Sequence, residues 1–387
     1  MATERKTILV LGGGIGGVIA ATRLRQQLAP EHRVVLVEKE TDHVFSPSLL
    51  WLMLGHRRAG QISRPIAALT KRGIELVRGL VERIDPATRT VHVNGADITC
   101  DHMIVALGAE LAPELIPGLA QAGHDFYTLA GAQSLCSALP KLSKGRLSVL
   151  VAAMPYKCPA APNEAAMLLE YDCRRRGVRK DVQVDLYTPE PGPMPVAGPE
   201  VSAALRQMVE AKGIGYHPGH TVTSVDPAKR QLTFANGTVA DFDLLAYLPP
   251  HRAPKVVREA GMCGESGWVP VDRGTLETKF PGVYAIGDVT GIMLTSIGKP
   301  LPKAGVFAHN QAEVVAHNIV RAITGKGEQQ WFSGDGGCFV EIGDGRAAFG
   351  SGNFYADPAP AIRLKAPSMM LHLGKVMYEK LWLYRRF

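Results

Sequence analysis

The run TILVLGGGIGGVIAATRLRQQL, residues 7 to 28, constrains this chain more than any other stretch. Lys6 to Leu11 is a short apolar strand, and VIAATRLRQQL has helical apolar spacing. Between them the glycines at 12, 14 and 17 form G-x-G-x-x-G. A second strand, RVVLVEKE, ends near Glu38, 21 positions after Gly17. Strand, glycine turn, helix, strand and terminal acid in this register specify a βαβ unit that binds a dinucleotide. Gly12 permits the tight turn, Gly14 lets a pyrophosphate approach the backbone, and Gly17 lets helix and strand pack closely. The helix N-terminus offers unpaired N–H groups to the phosphates. Glu38 is placed to accept both ribose hydroxyls and, by its charge, to disfavour a 2′-phosphate; Glu40 lies past the strand end.

Much of this plan recurs. GIELVRGLVERID, TRTVHVNG and DHMIVALGAEL read as short strands. RLSVLVAA then opens a second α/β unit, continued by DVQVDLYTPE, and YHPGHTVTSVD, RQLTFANG and FDLLAYLPP repeat the later strands of the first half. The repeat breaks at one place. Where the second unit should carry a glycine loop it reads MPYKCPAAPNEAA, residues 154 to 166, with no glycine, three prolines and Cys158. Proline removes the N–H donors that cradle a pyrophosphate, so this turn is unsuited to NAD(P)H. TKFPGVYAIGDVTG then runs a strand into Gly287-Asp288, a helix follows Pro302-Lys303-Ala304-Gly305, and GGCFVEIGDGRAAFGSG reads as a hairpin carrying Cys338.

The fold expected is α/β, with two Rossmann-like dinucleotide-binding domains. Residues 1–110 with 275–325 form the first, 111–274 the second, and 326–387 a C-terminal region. A chain of 387 residues exceeds one compact core and suits this division. Its net charge of +7 favours anionic partners. The Lys and Arg residues are scattered, and there is neither an aromatic-interleaved basic tract for nucleic acid nor a Cys/His cluster with metal-ligand spacing. MATERKTILVLGGG has no apolar segment separate from its first strand, which argues against a standard secretory signal, and no apolar run reaches the roughly 20 residues a bilayer requires. Any membrane association is therefore expected to be peripheral, at the cytoplasmic face. The six cysteines are too widely spaced for a disulfide framework in such a compartment, leaving buried thiols or redox chemistry.

LVLGGGIGGVIAA, DHMIVALGAE, GVYAIGD and PKAGVFAHNQAEVVAHNI together resemble the two-dinucleotide-binding-domain flavoproteins over nearly the whole chain. The resemblance implies a glutathione-reductase-like fold and FAD, with Gly12, Gly14, Gly17, Glu38, Val81, Ala106, Gly108, Asp288 and Lys303 at the cofactor. Asp288 corresponds to the residue that bonds the ribitol chain. Lys303 corresponds to a position at the flavin's pyrimidine edge, and Leu107 replaces a threonine common at its site. Within that superfamily, MPYKCPAAPNEAA and GGCFVEIG resemble the cysteine segments of sulfide:quinone oxidoreductases and flavocytochrome c sulfide dehydrogenases. This implies that Cys158 and Cys338, 180 positions apart, are a redox pair that oxidises sulfide to sulfane sulfur and passes two electrons through FAD to a quinone. Lys157 and the helix beginning near Pro162 favour a thiolate at Cys158. A third cysteine common in that family falls near Thr128, and Cys136 lies too far along to replace it, which favours a two-cysteine scheme.

The tail PSMMLHLGKVMYEKLWLYRRF bears on the electron acceptor. Met370, Leu373, Met377, Leu381 and Tyr384 form one helical stripe, Trp382 and Leu383 widen it, and Lys375, Lys380, Arg385 and Arg386 flank it. Such a helix suits the membrane interface, where a quinone resides; the alternative is a seat on the protein's own core or on a second copy in a homo-oligomer. Phe339, Tyr378 and Trp382 are the quinone-contact candidates. Three alternatives stand beside the sulfide:quinone reading: a type II NADH:quinone dehydrogenase, a sulfide dehydrogenase with a cytochrome acceptor, and a non-catalytic redox-sensing flavoprotein.

Overall fold

A computed structural model describes residues 4–387. Two parallel five-stranded sheets carry the architecture. The first runs Val283–Ala285, His102–Val105, Thr7–Leu11, Arg33–Glu38, Glu75–Arg78, and the second runs His124–Asp125, Leu244–Leu248, Gly145–Val151, Val182–Tyr187, Gly215–His217. Each sheet's central strand feeds a crossover helix, Ile15–Gln27 in the first and Ala161–Arg175 in the second. Each unit also has a three-stranded antiparallel meander, Val81–Asp85 to Ala96–Thr99 and Val222–Asp226 to Val239–Asp241. The central strands are continuous apolar runs because helices or loops cover both faces. Ile8 to Leu11 and Leu147, Val149, Leu150 and Val151 are all fully buried.

The long helix Gly305–Thr324 lies along Ile15–Gln27, and Arg23 pairs with Glu313 across them at 2.7 Å. Beyond it, the segment read as a hairpin is a three-stranded antiparallel sheet: Asp335–Gly343, Arg346–Asn353 and a third strand, Ala361–Ser368. That third strand escaped sequence reading because it follows a proline-rich link and alternates exposed Arg363 and Lys365 with half-buried residues. The chain closes with the helix Met369–Arg385, capped by the Ser368 hydroxyl, which accepts from Leu371 N at 3.2 Å.

This last helix departs from expectation. Its buried residues are Lys375, Glu379, Trp382 and Leu383, while Met370 is 83 % and Tyr384 82 % exposed, and Leu373 and Met377 are also exposed. Trp382 and Leu383 do not widen the apolar stripe, and Lys375 does not flank it. The helix turns two charged residues inward because partners for them already stand on the body of the protein. Among the described residues, no helix is long and apolar enough to cross a membrane.

Candidate active site

The first glycine turn has the geometry its spacing implied. Gly12 has φ of +99°, and its N–H donates to Val37 O at 2.8 Å, tying the turn to the second strand. A Cβ on Gly17 would stand 1.8 Å from Gly12 O, so only glycine allows this helix to start there. A Cβ on Gly14 would meet nothing within 4 Å, which is the open side of the cradle. At the end of the second strand, Glu38 accepts from Gly13 N and, at 2.8 Å, from Glu40 N. Glu40 itself is exposed and turned towards Lys39. Gly79 N donates to Glu38 O, bringing the segment before Val81 beside the same strand end; the Val81 side chain is buried in the core, so only its backbone can face a ligand. Ala106 lies against the turn through its N–H to Leu11 O at 2.9 Å, and space opens beyond Gly108.

Asp288 sits in the 3-10 turn Gly287–Val289. Its Oδ1 is buried with no hydrogen-bond partner, and burial pushes its carboxyl up against the pull of Lys157 and Lys303. An orphaned buried carboxylate oxygen calls for a donor from outside the chain. The open face at Gly14, the helix N-terminus behind it, Glu38 and this oxygen form a donor and acceptor set that fits the phosphates, ribose and ribitol hydroxyls of FAD. Lys303 donates to the carbonyls of Asp288 at 2.7 Å and Thr290 at 2.9 Å, and stands 3.4 Å from the centroid of Trp268. Burial pulls its ammonium down to about 8. Lys303 therefore braces the Asp288 turn as well as bringing charge to that edge.

The second strand-to-helix turn holds the thiols. Cys158 adopts φ of +57°, a left-handed conformation costing a non-glycine residue about 1–3 kcal/mol. Four bonds hold it there. Cys158 N donates to Lys303 O at 2.6 Å, Ala161 N to Cys158 O at 2.9 Å, and the Tyr127 hydroxyl to the carbonyls of Lys157 at 2.8 Å and Cys158 at 3.3 Å. The strand Asp335–Gly343 brings Cys338 to the same place, close enough that each buried thiol acts on the ionisation of the other. Bonding to Cys338 and burial push the Cys158 thiol up, whereas donation from Cys158 pulls Cys338 down. Lys157 sets its ammonium 5.8 Å from the Tyr127 ring; the cation favouring both thiolates is Lys375.

Sequence reasoning missed the charged group beneath the pair. Glu164, in the first turn of Ala161–Arg175, accepts from Lys375 Nζ at 2.7 Å and from Glu341 N at 2.8 Å, and His372 Nδ1 stands 2.9 Å from Glu341. Glu164, Lys375 and Glu341 are all buried. Burial disfavours the Lys375 charge, but Glu164 and Glu341 outweigh it and its pKa rises; burial raises Glu341. The available signal was proximity to the cysteines: Glu164 is six residues past Cys158 and Glu341 three past Cys338.

Of the quinone candidates, Phe339 packs on Phe349 with ring centroids 4.8 Å apart and faces the tail helix at Gly374, with Tyr378 further along that helix. Trp382 is enclosed instead. Its indole N–H donates to His43 Nε2 at 3.1 Å, and His43 Nδ1 meets Gly13 O at 2.9 Å, which makes Nδ1 the protonated nitrogen. Burial lowers His43 and keeps it neutral. Trp382 is therefore a support of the first glycine turn and not a quinone contact. Thr128, near the place of a third cysteine, caps the helix Leu129–Ala138 by accepting from Gly131 N at 2.9 Å. Cys136 lies within that helix, its thiol raised by burial.

Comparison with known proteins agrees with this geometry. A curated sulfide-quinone reductase of Aquifex aeolicus is 27 % identical over 98 % of this chain and 91 % of its own length. The mitochondrial sulfide:quinone oxidoreductase of Mus musculus is 24 % identical over 92 % of this chain and 80 % of its own. The X-ray structure of the sulfide:quinone oxidoreductase from Aquifex aeolicus superposes with a TM-score of 0.88 at 25 % identity, covering 98 % of this chain and 91 % of that one. The family profile described as Pyridine nucleotide-disulphide oxidoreductase matches residues 6–312. A match of that extent, on a chain with this glycine turn and this paired-sheet architecture, means that the protein belongs to the pyridine nucleotide-disulphide oxidoreductase family.

Proposed function

We infer that this protein is an FAD-dependent sulfide:quinone oxidoreductase. The observation that carries this reading is the close, buried Cys158–Cys338 pair, set where a second nucleotide loop would stand and joined to the Asp288 turn through Lys303.

In the oxidised protein the two sulfurs form a disulfide. Hydrosulfide attacks one sulfur, the S–S bond breaks, and the products are a persulfide on that cysteine and a thiolate on the other. The buried Lys375 ammonium stabilises the negative charge left on sulfur, and Glu164 fixes that ammonium in place. Bound FAD supplies the two-electron exchange between this pair and the quinone. Asp288, Glu38 and the turn at Gly12 would hold it, with Val81, Ala106 and Gly108 as further candidate contacts. The proline-bearing turn holds Cys158 in its left-handed conformation.

The quinone end lies towards the tail, at Phe339 and Tyr378. The exposed apolar face of Met370, Leu373, Met377 and Tyr384, with basic Lys380, Arg385 and Arg386 near it, fits a peripheral seat in an anionic membrane interface. A soluble cytochrome acceptor would need no such face.

An anaerobic titration of the FAD-loaded protein, followed at the flavin absorbance, tests the reading. Sulfide should bleach the flavin, a short-chain quinone should restore it, and NADH should leave it unchanged. Rapid bleaching by NADH would transfer the protein to the NADH:quinone class. Failure of sulfide to bleach with the Cys158–Cys338 disulfide intact would leave only the sensing role. Flotation with anionic vesicles should be lost in Leu373→Asp/Met377→Asp while flavin content stays unchanged.

A further inference from the structure

The thiol side of the molecule contains two adjoining cavities that share Pro159, Met194, Pro302 and Phe354 as walls. The inner one reaches Cys338. The outer one has a volume of about 60 Å³ and includes Met154, which is 50 % exposed, at its mouth. Its walls are almost wholly apolar, and its polar lining consists of Tyr156, Glu190 and Lys303. Glu190 is a buried carboxyl two residues beyond the turn residue Thr188 at the end of Val182–Tyr187. Its Oε2 accepts from the Tyr156 hydroxyl at 2.7 Å and the Thr188 hydroxyl at 3.3 Å, and among the described residues no donor is bonded to Oε1.

Resting on the sulfide-oxidising reading, we propose that Glu190 is the base that takes a proton from neutral hydrogen sulfide as it passes through this cavity towards Cys338. An anion entering so apolar a passage sheds its hydration without compensation, whereas the uncharged molecule does not. The attack on the disulfide nevertheless requires the hydrosulfide anion. In the proposed step the S–H bond breaks, the proton bonds to the Glu190 carboxylate, and the electron pair stays on sulfur as hydrosulfide. The Glu190 carboxyl then loses the proton to water at the mouth near Met154.

The electrostatics suit this task. Burial pushes Glu190 up to about 7, offset in part by the bonds from Tyr156 and Thr188. Hydrogen sulfide ionises close to neutrality, and proton transfer is most efficient between groups of matched affinity near working pH. Three phenols feel the carboxyl's charge: Tyr156, bonded to it from the thiol turn, Tyr216 on the strand next to Val182–Tyr187, and Tyr127, which follows His124–Asp125 and bonds to the thiol turn. Burial raises all three, so they remain neutral. The cation in the lining, Lys303, is committed to the carbonyls of Asp288 and Thr290.

Anaerobic stopped-flow bleaching of the holoenzyme by sulfide, from pH 6 to 9, tests the step. Glu190→Gln should slow bleaching by roughly 100-fold near neutrality, the scale of general-base catalysis. Dithionite bleaching should be unaffected. Glu190→Asp, which keeps a carboxylate in the cavity, should recover much of the rate lost in Glu190→Gln. Tyr156→Phe removes a donor to the carboxylate and should move the acid limb of the rate profile to higher pH, which a merely structural residue would not do. Wild-type rates in Glu190→Gln at every pH, or an unmoved limb in Tyr156→Phe, would overturn the role of Glu190 while sulfide oxidation stands. If sulfide fails to bleach the wild-type flavin, the functional reading itself falls.

Discussion

The two strand-to-helix turns of this protein occupy equivalent places in similar units, yet they solve opposite problems. At Gly12 to Gly17 the backbone is stripped of side chains, so that a pyrophosphate can reach N–H groups at a helix end. At Met154 to Asn163, prolines remove such donors and Cys158 takes a left-handed conformation held by Lys303, Ala161 and Tyr127. The strand-end acids diverge in parallel. Glu38 stays with the glycine turn, while Glu190 faces a cavity that leads towards sulfur. A βαβ unit thus serves nucleotide or thiol according to whether its turn exposes backbone or buries a side chain. The tail helix braces both turns, Trp382 through His43 to Gly13 and Lys375 through Glu164 to the thiol turn.

Breaking the second turn should produce the largest effect. Cys158→Ser should cut sulfide-dependent flavin bleaching by at least about 1000-fold, the scale of losing a reacting group, while the flavin absorbance of the purified protein is retained. Normal quinone reduction by this variant would refute the thiol side of the comparison. Next comes the brace beneath it. Lys375→Met leaves the buried Glu164 carboxylate unpaired and should cost about 3–5 kcal/mol in denaturant unfolding, much of it recovered in Glu164→Gln/Lys375→Met.

The first turn should break differently. Gly17→Ala drives a methyl group into Gly12 O, an overpacking cost at the upper end of about 1–3 kcal/mol, and should weaken FAD binding by roughly 100-fold in an apoprotein titration. The smallest effect belongs to the remote support. Trp382→Phe removes the donor to His43 and should cost about 1 kcal/mol, seen as a severalfold loss of FAD retention with sulfide chemistry otherwise intact.

What could be read from the chain followed from local chemistry. Glycines at fixed offsets, the apolar strand before them and Glu38 after them act within one βαβ unit, so spacing alone placed them. The cysteine in a proline-bearing turn was legible for the same reason. On the tail helix the stripe of Met370, Leu373, Met377, Leu381 and Tyr384 is exposed, as a membrane-facing stripe would be, but Trp382, Leu383 and Lys375 were misplaced because they turn inward. Here Glu164, Ser48 and Arg57 wait on the body of the protein, and Lys375 and Glu379 turn inward to meet them. The buried cation beside the cysteine pair was not legible either, because Lys375 lies more than 200 positions from Cys158 in the chain.

By itself, then, the sequence determined two parallel α/β units, a nucleotide cradle in the first and a thiol in place of a second. These rest on backbone conformation and hydrogen-bond donors that neighbouring residues set. Only the tertiary structure decided that Cys338 meets Cys158, which face of the tail helix is buried, and that Glu190 opens into the sulfur-side cavity. Each of these depends on desolvation and charge pairing between segments that become neighbours only when the chain has folded.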